Sequence, residues 1–164
     1  MRKEETKMKT NPNVTSHALI DEFLSCKRIA VVGVSRSRTG FASSVHNELK
    51  SRGYTAVPVN PKAAVDGHEF FASVRDISPP PEAALLIIPP QAVKSVVQDC
   101  AAAGVPLVWI HGYSGTVDGE IAELGSKHGM RVIGGQCPHM FLSNPKFVHR
   151  LHGFVLKLAG KYPA

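Results

Sequence analysis

Residues 29–40 read IAVVGVSRSRTG and decide the fold. The first six positions hold apolar residues and one glycine and are rich in Val and Ile, which predicts a strand buried on both faces. A polar loop follows, and the next segment, Gly40–Arg52, places Phe41, Val45 and Leu49 on one side of a predicted helix. A buried strand, a glycine-containing turn and a helix in this order are typical of a parallel α/β sheet.

The same alternation continues along the chain. Strands are predicted where short apolar runs end at turn residues, and helices where apolar residues recur every three or four positions. The predicted strands are Arg28–Val34, Tyr54–Val59, Ala84–Ile88, Pro106–Ile110 and Arg131–Gly134. The predicted helices are a short one after Thr15 or Ser16, Gly40–Arg52, a short one near 72–76, 91–103, Thr116–His128 and Pro145–Ala159. This order predicts a single α/β domain with a Rossmann-like, doubly wound, mostly parallel five-stranded sheet.

Three parts of the 164-residue chain are expected. Residues 1–14 are predicted to be a disordered tail, 15–140 the sheet domain, and 141–164 a helical extension packed on that domain or on a second copy. The apolar runs are too short to span a membrane, and the N-terminus lacks the apolar segment of a secretory signal. Three widely spaced cysteines do not suggest a disulfide framework and favour a cytoplasmic location.

The net charge of +6, and its distribution along the chain, indicate which class of partner to expect. Much of the excess lies near the two termini, and no dense Lys/Arg stripe is interleaved with aromatic residues. We therefore expect a phosphorylated small molecule as the partner, with no nucleic acid and no membrane.

The loop after the first strand is the principal candidate site, because ligands of such sheets bind beyond the carboxyl ends of the strands. Gly33 permits a tight turn and close approach of a phosphate, and the following helix offers free amides. The hydroxyls of Ser35 and Ser37 and the charges of Arg36 and Arg38 complete a predicted pyrophosphate cradle. The loop departs from GxGxxG at its second and third glycines and lacks the GK[ST] of a P-loop. An ordinary polar strand–helix loop is the alternative.

Residues after the other strands add candidates. Asn60-Pro61-Lys62 lacks the Asp or Glu that usually holds the ribose of NAD. Lys62 instead suits a phosphate on or near the ribose, which favours NADP or coenzyme A; a solvated lysine is the alternative. Pro89 and Pro90 offer an apolar wall for an adenine ring, or simply end the strand. His111 is a candidate ligand contact or acid–base group.

The remaining cysteine and histidine candidates are interpreted as structural residues. Cys137 precedes a proline and is interpreted as a small buried thiol rather than a reactive one. His149 and His152 lie one helical turn apart, but no carboxylate pattern accompanies them. No nucleophile, base and orienting group form a recognisable set, so we assign no catalytic residue and no metal site.

Taken together, these segments resemble the coenzyme A-binding domain family, whose fold also forms the N-terminal domain of the succinyl-CoA synthetase α-subunit. The matching pieces are IAVVGVSRS (29–37), VPVNPK (57–62), ALLIIPP (84–90), LVWIHGYSG (107–115) and RVIGGQCP (131–138). The resemblance implies that Ser35–Arg38 bind the coenzyme A phosphates and that Lys62 meets the phosphate-rich end of the nucleotide. It also implies that Ile88 and Pro89 line the nucleotide and that Trp109–His111 follow the rest of the ligand.

The function that the resemblance implies is binding of coenzyme A or acyl-CoA by residues 15–140, as a non-catalytic carrier, sensor or regulatory module. The synthetase carries its phosphorylated histidine in a later domain, and this sequence ends before one, so succinyl-CoA synthesis is not expected. Two alternatives stay open: a small NADP-dependent oxidoreductase or dinucleotide sensor, and an acyl-CoA enzyme that uses Cys137 or His111. A homodimer is one expected assembly.

Overall fold

A computed structural model describes residues 15–63, 69–112 and 119–142. The predicted tail, 1–14, lies outside the described residues. So do residues 143–164, which hold the predicted helix Pro145–Ala159 and the pair His149 and His152.

The described residues form a five-stranded sheet and the helices that cover it. The strands are β1 (Arg28–Val32), β2 (Thr55–Val59), β3 (Ala83–Leu86), β4 (Leu107–Ile110) and β5 (Arg131–Gly134). The helices are α1 (His17–Ser25), α2 (Phe41–Ser51), α3 (Pro90–Ala102) and α4 (Gly119–Lys127), with 3₁₀ turns at Val74–Asp76 and Pro138–Met140. Each neighbouring strand pair is parallel, in the order β2-β1-β3-β4-β5. The predicted Rossmann-like parallel sheet is confirmed.

Each face of the sheet carries its own core, because successive side chains of a strand point to opposite faces. On β1, Ile29 and Val31 pack with α1 and α2, whereas Ala30 and Val32 pack with α3, α4 and the first 3₁₀ turn. Trp109, which is fully buried, meets the Phe23 ring edge-on at 5.1 Å between centroids. Two covered faces explain why the strands read as continuous apolar runs, and they confirm the doubly wound arrangement.

Two strands end earlier than the sequence predicts. β1 was predicted to run to Val34 and β3 to Ile88, but β1 ends at Val32 and β3 at Leu86. Gly33 turns the chain away with φ +104°, although its amide still donates to the carbonyl of Val59. The apolar pattern continues past both strand ends because the loops that follow are themselves half-buried or buried, so hydrophobicity alone does not mark the boundary.

The first helix starts at one of the two predicted caps. The Ser16 hydroxyl accepts a hydrogen bond from the amide of Leu19, as N-cap residues do. Thr15 instead hydrogen-bonds to the backbone of Gly134, at the end of β5. The start of the chain's described part is thereby fixed to the far edge of the sheet.

The strand order creates a switch point beside β1. From β1 the chain moves outward to β2, and it then returns across β1 to reach β3. The connections that leave β1 and β3 therefore run in opposite directions, and the carboxyl ends of these two strands open into a crevice.

Candidate functional site

A cavity of about 520 Å³ occupies this crevice. Each of the first three strands contributes the residues that follow it, and one side of α3 and the first 3₁₀ turn close the rest. The lining includes Gly33, Asn60, Lys62, Ile88, Pro89 and Asp99. Four of the predicted site residues, Gly33, Lys62, Ile88 and Pro89, thus share one cavity of a size that suits a small ligand.

Gly33 allows the crevice to exist. Its φ of +104° is a conformation that side chains disfavour, and a Cβ there would lie 3.0 Å from the carbonyl carbon of Ile87 and closer still to its oxygen. The backbones that leave β1 and β3 therefore approach each other at a spacing that only glycine permits.

A cluster of hydroxyl groups stiffens the loop that leads into α2. The Ser35 hydroxyl lies 3.1 Å from that of Ser37 and accepts a hydrogen bond from the amide of Thr39 at 3.2 Å. The Ser37 and Thr39 hydroxyls are 2.8 Å apart, and Ser43 in the first turn of α2 adds a 3.4 Å contact to Ser35. The N-cap residue, Gly40, has no side chain to satisfy the first-turn amides. These amides point their donors and the positive end of the helix dipole toward the loop.

A side chain of the loop after β1 bonds to the loop after β2, where Lys62 lines the cavity. The guanidinium of Arg36 donates to the backbone carbonyl of Lys62 at 3.1 Å, which fixes one cationic loop against the other, although Arg36 itself is not part of the cavity lining. Within the described ranges of the chain, neither cation belongs to an ion pair. Two cationic residues on bonded loops, without a carboxylate partner in the part of the chain that the structure describes, favour an anion nearby.

Arg38 lies elsewhere. Its backbone adopts the left-handed conformation, with φ 58°, and its guanidinium turns to the Glu69 carboxylate at 2.8 Å. The same group sits 4.7 Å from the centre of the Phe70 ring, within range of a cation–π contact. Arg38 holds the pKa of the exposed Glu69 carboxyl below its usual range through this hydrogen bond. The structure therefore does not place Arg38 in the cavity lining beside Lys62.

Asn60 positions both loops, and sequence reasoning missed it. Its side-chain amide donates to the carbonyl of Val34 at 2.9 Å, and its side-chain oxygen accepts from the amide of Lys62 at 3.0 Å. One side chain thus links the loop after β1 to the loop after β2. The Asn-Pro pair at the end of a strand is a signal for such an Asx turn.

His111 occupies a second hollow, of about 480 Å³, rather than the first cavity. Its ring stacks on Phe41 at 4.4 Å between centroids, and its Nδ1 lies 3.2 Å from the carbonyl oxygen of Gln136. The two hollows share the segment Ile87–Pro89, which forms a ridge between them. Of the predicted residues, Gly33, Lys62, Ile88 and Pro89 line the first cavity, and His111 lines the more apolar hollow with Ile88 and Pro89. Ser35, Arg36, Ser37 and Arg38 line neither.

A hydroxyl and a carboxylate line the part of the cavity formed by α3 and the 3₁₀ turn, and neither was predicted. Ser73 Oγ donates to Asp99 Oδ2 at 3.1 Å, and Arg75 Nη1 lies 3.9 Å from Asp99 Oδ1. From sequence, a carboxylate on an amphipathic helix is predicted to face solvent. Only the packing of α3 shows that Asp99 lines a cavity.

The three cysteines are free thiols. Burial raises the pKa of Cys100 to about 12. Burial also raises the pKa of Cys137, although hydrogen bonds from the amides of His139 and Met140 oppose the shift. A raised pKa reduces the thiolate fraction, which is the nucleophilic form.

The described part of the chain contains no group of three or more His, Cys, Asp or Glu side chains placed to hold a metal ion. None of its helices is long and apolar enough to cross a membrane.

The parallel sheet and the cavity at its switch point are typical of α/β domains that bind nucleotides. A sequence model of the CoA binding domain family matches residues 27–143. The chain therefore belongs to the CoA binding domain family, as the resemblance predicted.

The relatives that the chain matches in sequence are longer proteins, and the match covers only a part of each. The chain is 30% identical over 129 residues to the α subunit of ADP-forming acetate–CoA ligase II of Pyrococcus furiosus, a match that covers 73% of this chain and 28% of the relative. It is 25% identical over 118 residues to ADP-forming acetate–CoA ligase of Methanocaldococcus jannaschii, covering 68% of this chain and 17% of the relative. The chain thus spans less than a third of the length of these relatives.

Solved structures share the fold. A hypothetical protein from Pyrococcus horikoshii OT3 superimposes with a TM-score of 0.67 and 27% identity over 80% of this chain and 94% of that chain. The dinucleotide-forming acetyl-coenzyme A synthetase 1 of Ca. Korarchaeum cryptofilum, solved with phosphate and ADP, gives a TM-score of 0.60 and 26% identity over 71% of this chain and 27% of that chain.

Proposed function

We propose that this chain binds coenzyme A or an acyl-CoA at the switch-point cavity and acts as a non-catalytic carrier, sensor or regulatory module. The observation that carries the proposal is the hydrogen bond from the Arg36 guanidinium to the Lys62 backbone, which joins two cationic loops beside the cavity that Gly33 and Lys62 line. Membership of the CoA binding domain family supports the choice of ligand.

The charges and the two hollows suggest how the ligand lies. The pyrophosphate faces the turn at Gly33 and the first turn of α2, where backbone amides attract an anion. The phosphate on the ribose faces Lys62 and Arg36, and the base enters the cavity between apolar walls that include Ile88. The pantetheine arm crosses the ridge Ile87–Pro89 into the hollow beside His111. The two volumes, about 520 and 480 Å³, both fall within the range of small-molecule sites.

The non-catalytic part of the proposal rests on the two candidate reactive groups. Burial raises the pKa of Cys137, which disfavours a thiolate nucleophile. The His111 ring is held against Phe41 and directs Nδ1 to a backbone carbonyl, an arrangement that suits packing beside a ligand. A cytoplasmic location, a homodimer and the identity of any acyl group stay predictions from the sequence.

Isothermal titration calorimetry with coenzyme A tests the proposal. We expect a dissociation constant in the micromolar range and about tenfold weaker binding for Arg36→Ala and for Lys62→Ala, since a hydrogen bond to a charged group contributes roughly 1.5–3 kcal/mol. Lys127→Ala is the matched control, because this exposed lysine lies at the end of α4, at the opposite edge of the sheet. Added salt should weaken binding by screening the charges of Arg36 and Lys62.

Two outcomes would remove the proposal. One is the absence of heat with coenzyme A or acetyl-CoA at millimolar ligand. The other is tighter binding of NADPH than of coenzyme A, which would favour the dinucleotide alternative. Turnover of an acyl-CoA that disappears in Cys137→Ser or His111→Ala would contradict the non-catalytic part alone.

A further inference from the structure

We infer that Asp99, oriented by Ser73, selects the base of the ligand by accepting a hydrogen bond from the 6-amino group of adenine. The inference rests on the proposed function, because it assigns the base of the nucleotide to the switch-point cavity. It adds a specificity-determining residue on α3, an element that does not belong to the loops after β1 and β2.

Neighbouring residues hold the Asp99 carboxylate in place but do not use all of its hydrogen-bond acceptor capacity. Ser73 Oγ donates to Oδ2 at 3.1 Å, and the nearest nitrogen of Arg75 is 3.9 Å from Oδ1, longer than a direct hydrogen bond. Ser73 is itself fixed, because it caps the 3₁₀ turn by accepting from the amide of Arg75. The Asp99 side chain stays 38% exposed and lines the cavity, so its oxygens keep acceptor capacity toward a ligand.

The charge distribution orients a polyanionic ligand. Lys62 lines the cavity from the loop after β2, to which Arg36 is bonded, whereas Asp99 lies in the third turn of α3, about 10 Å along the helix axis from Ala92. A carboxylate repels phosphates and cationic residues attract them. The uncharged base therefore faces Asp99 while the phosphates stay at the cationic loops.

The base edge that meets Asp99 must carry a donor, because an ionised carboxylate only accepts hydrogen bonds. We place the edge formed by position 6 and N7 toward Asp99. On this edge adenine presents an amino donor, whereas hypoxanthine and guanine present only acceptors, the carbonyl oxygen and N7. A site that hydrogen-bonds one group discriminates against an analogue that lacks it, because its own polar atom is left without a partner. The cavity is therefore adenine-selective, and the selectivity depends on the charge of Asp99.

Competition calorimetry tests this inference, with ADP, IDP and GDP each displacing bound coenzyme A. The three competitors share the sugar and the diphosphate and differ only in the base. For the unmodified protein we expect ADP to compete about tenfold better than IDP or GDP. For Asp99→Asn, which keeps the shape and offers both a donor and an acceptor, the ratio of ADP to IDP should fall to within about twofold.

Two further variants make the result specific. Asp21→Asn removes an exposed carboxylate on α1, a helix that packs on the other face of the sheet, and should keep the full ratio. Ser73→Ala frees the Asp99 carboxylate and should reduce the ratio partly. Thermal unfolding of each variant checks that the fold is retained.

The outcomes separate the inference from the proposed function. Equal competition by ADP and IDP in the unmodified protein would overturn the inference while leaving coenzyme A binding intact. Competition by GDP as strong as that by ADP would overturn it as well, because the carboxylate would then pair with the donors of guanine. An unchanged ADP preference in Asp99→Asn would place the selectivity elsewhere. A lack of coenzyme A binding in the unmodified protein would refute the proposed function itself.

Discussion

Replacement of Gly33 by alanine is expected to cost more stability than any ordinary loop substitution in this protein. Two effects add at this position. The backbone angle of +104° is strained for a side chain, which costs about 1–3 kcal/mol. The new Cβ also overlaps the carbonyl of Ile87, so the loops after β1 and β3 must separate.

Gly53 isolates the first of these effects. It also has a positive φ, +85°, but nothing lies within 4 Å of the position of its Cβ. Gly53→Ala should therefore lose only the conformational contribution, about 1–2 kcal/mol. Gly33→Ala should lose at least about 2 kcal/mol more, through overpacking against backbone that cannot rotate away. Since a domain of this kind is stable by about 5–15 kcal/mol, the difference is measurable.

Urea denaturation followed by circular dichroism gives both free energies of unfolding. We also expect Gly33→Ala to lose coenzyme A binding while it is still folded, because the displaced loops alter the crevice. Equal losses of stability for the two variants would refute the reasoning, since the overlap with Ile87 would then contribute nothing to the free energy of unfolding.

Three other predictions follow from the described contacts. Burial lowers the pKa of His46, so the native state binds fewer protons than the unfolded state, and stability should fall as the pH drops below about 6.5. Urea midpoints at pH 7.5 and pH 5.5 should differ less in His46→Gln, and an equal difference in both proteins would contradict this. Asn60→Ala should weaken coenzyme A binding about tenfold in calorimetry and cost about 1–2 kcal/mol in urea denaturation, because two loops lose their link; an unchanged affinity would show that the link does not position the site. Cys100 should react with a thiol reagent at pH 8 only after unfolding, and later than Cys26 and Cys137, because it is fully buried and its pKa is about 12. Equal reaction rates for the three thiols would contradict the packing.

The fold could be predicted because its signal is local. Short apolar runs that alternate with amphipathic segments predict a parallel sheet with helices, and the structure has one. The ends of β1 and β3 were predicted too late because apolar residues such as Val34 and Ile88 continue into the loops, where they pack or line a cavity. The strand order was left open, because the pattern of a single strand does not reveal its neighbours.

The site could be predicted only where a residue follows a strand. Gly33, Lys62 and Ile88 meet at one cavity because the carboxyl ends of parallel strands share an edge. Arg38 was grouped with them, yet it turns to Glu69, a partner 31 residues away that the loop sequence does not reveal. Asp99 was missed for the same reason, since its role depends on the packing of α3 against a distant 3₁₀ turn.

The hydrogen bond between the Arg36 side chain and the Lys62 carbonyl joins two cationic loops, and neither Arg36 nor Lys62 forms an ion pair among the described residues. An occupant that neutralises them stabilises the whole domain, by about 2.7 kcal/mol at a ligand concentration 100-fold above its dissociation constant. The melting temperature of this protein should therefore rise with the concentration of phosphorylated metabolites in the buffer. A simple heating curve would then report how full the site is.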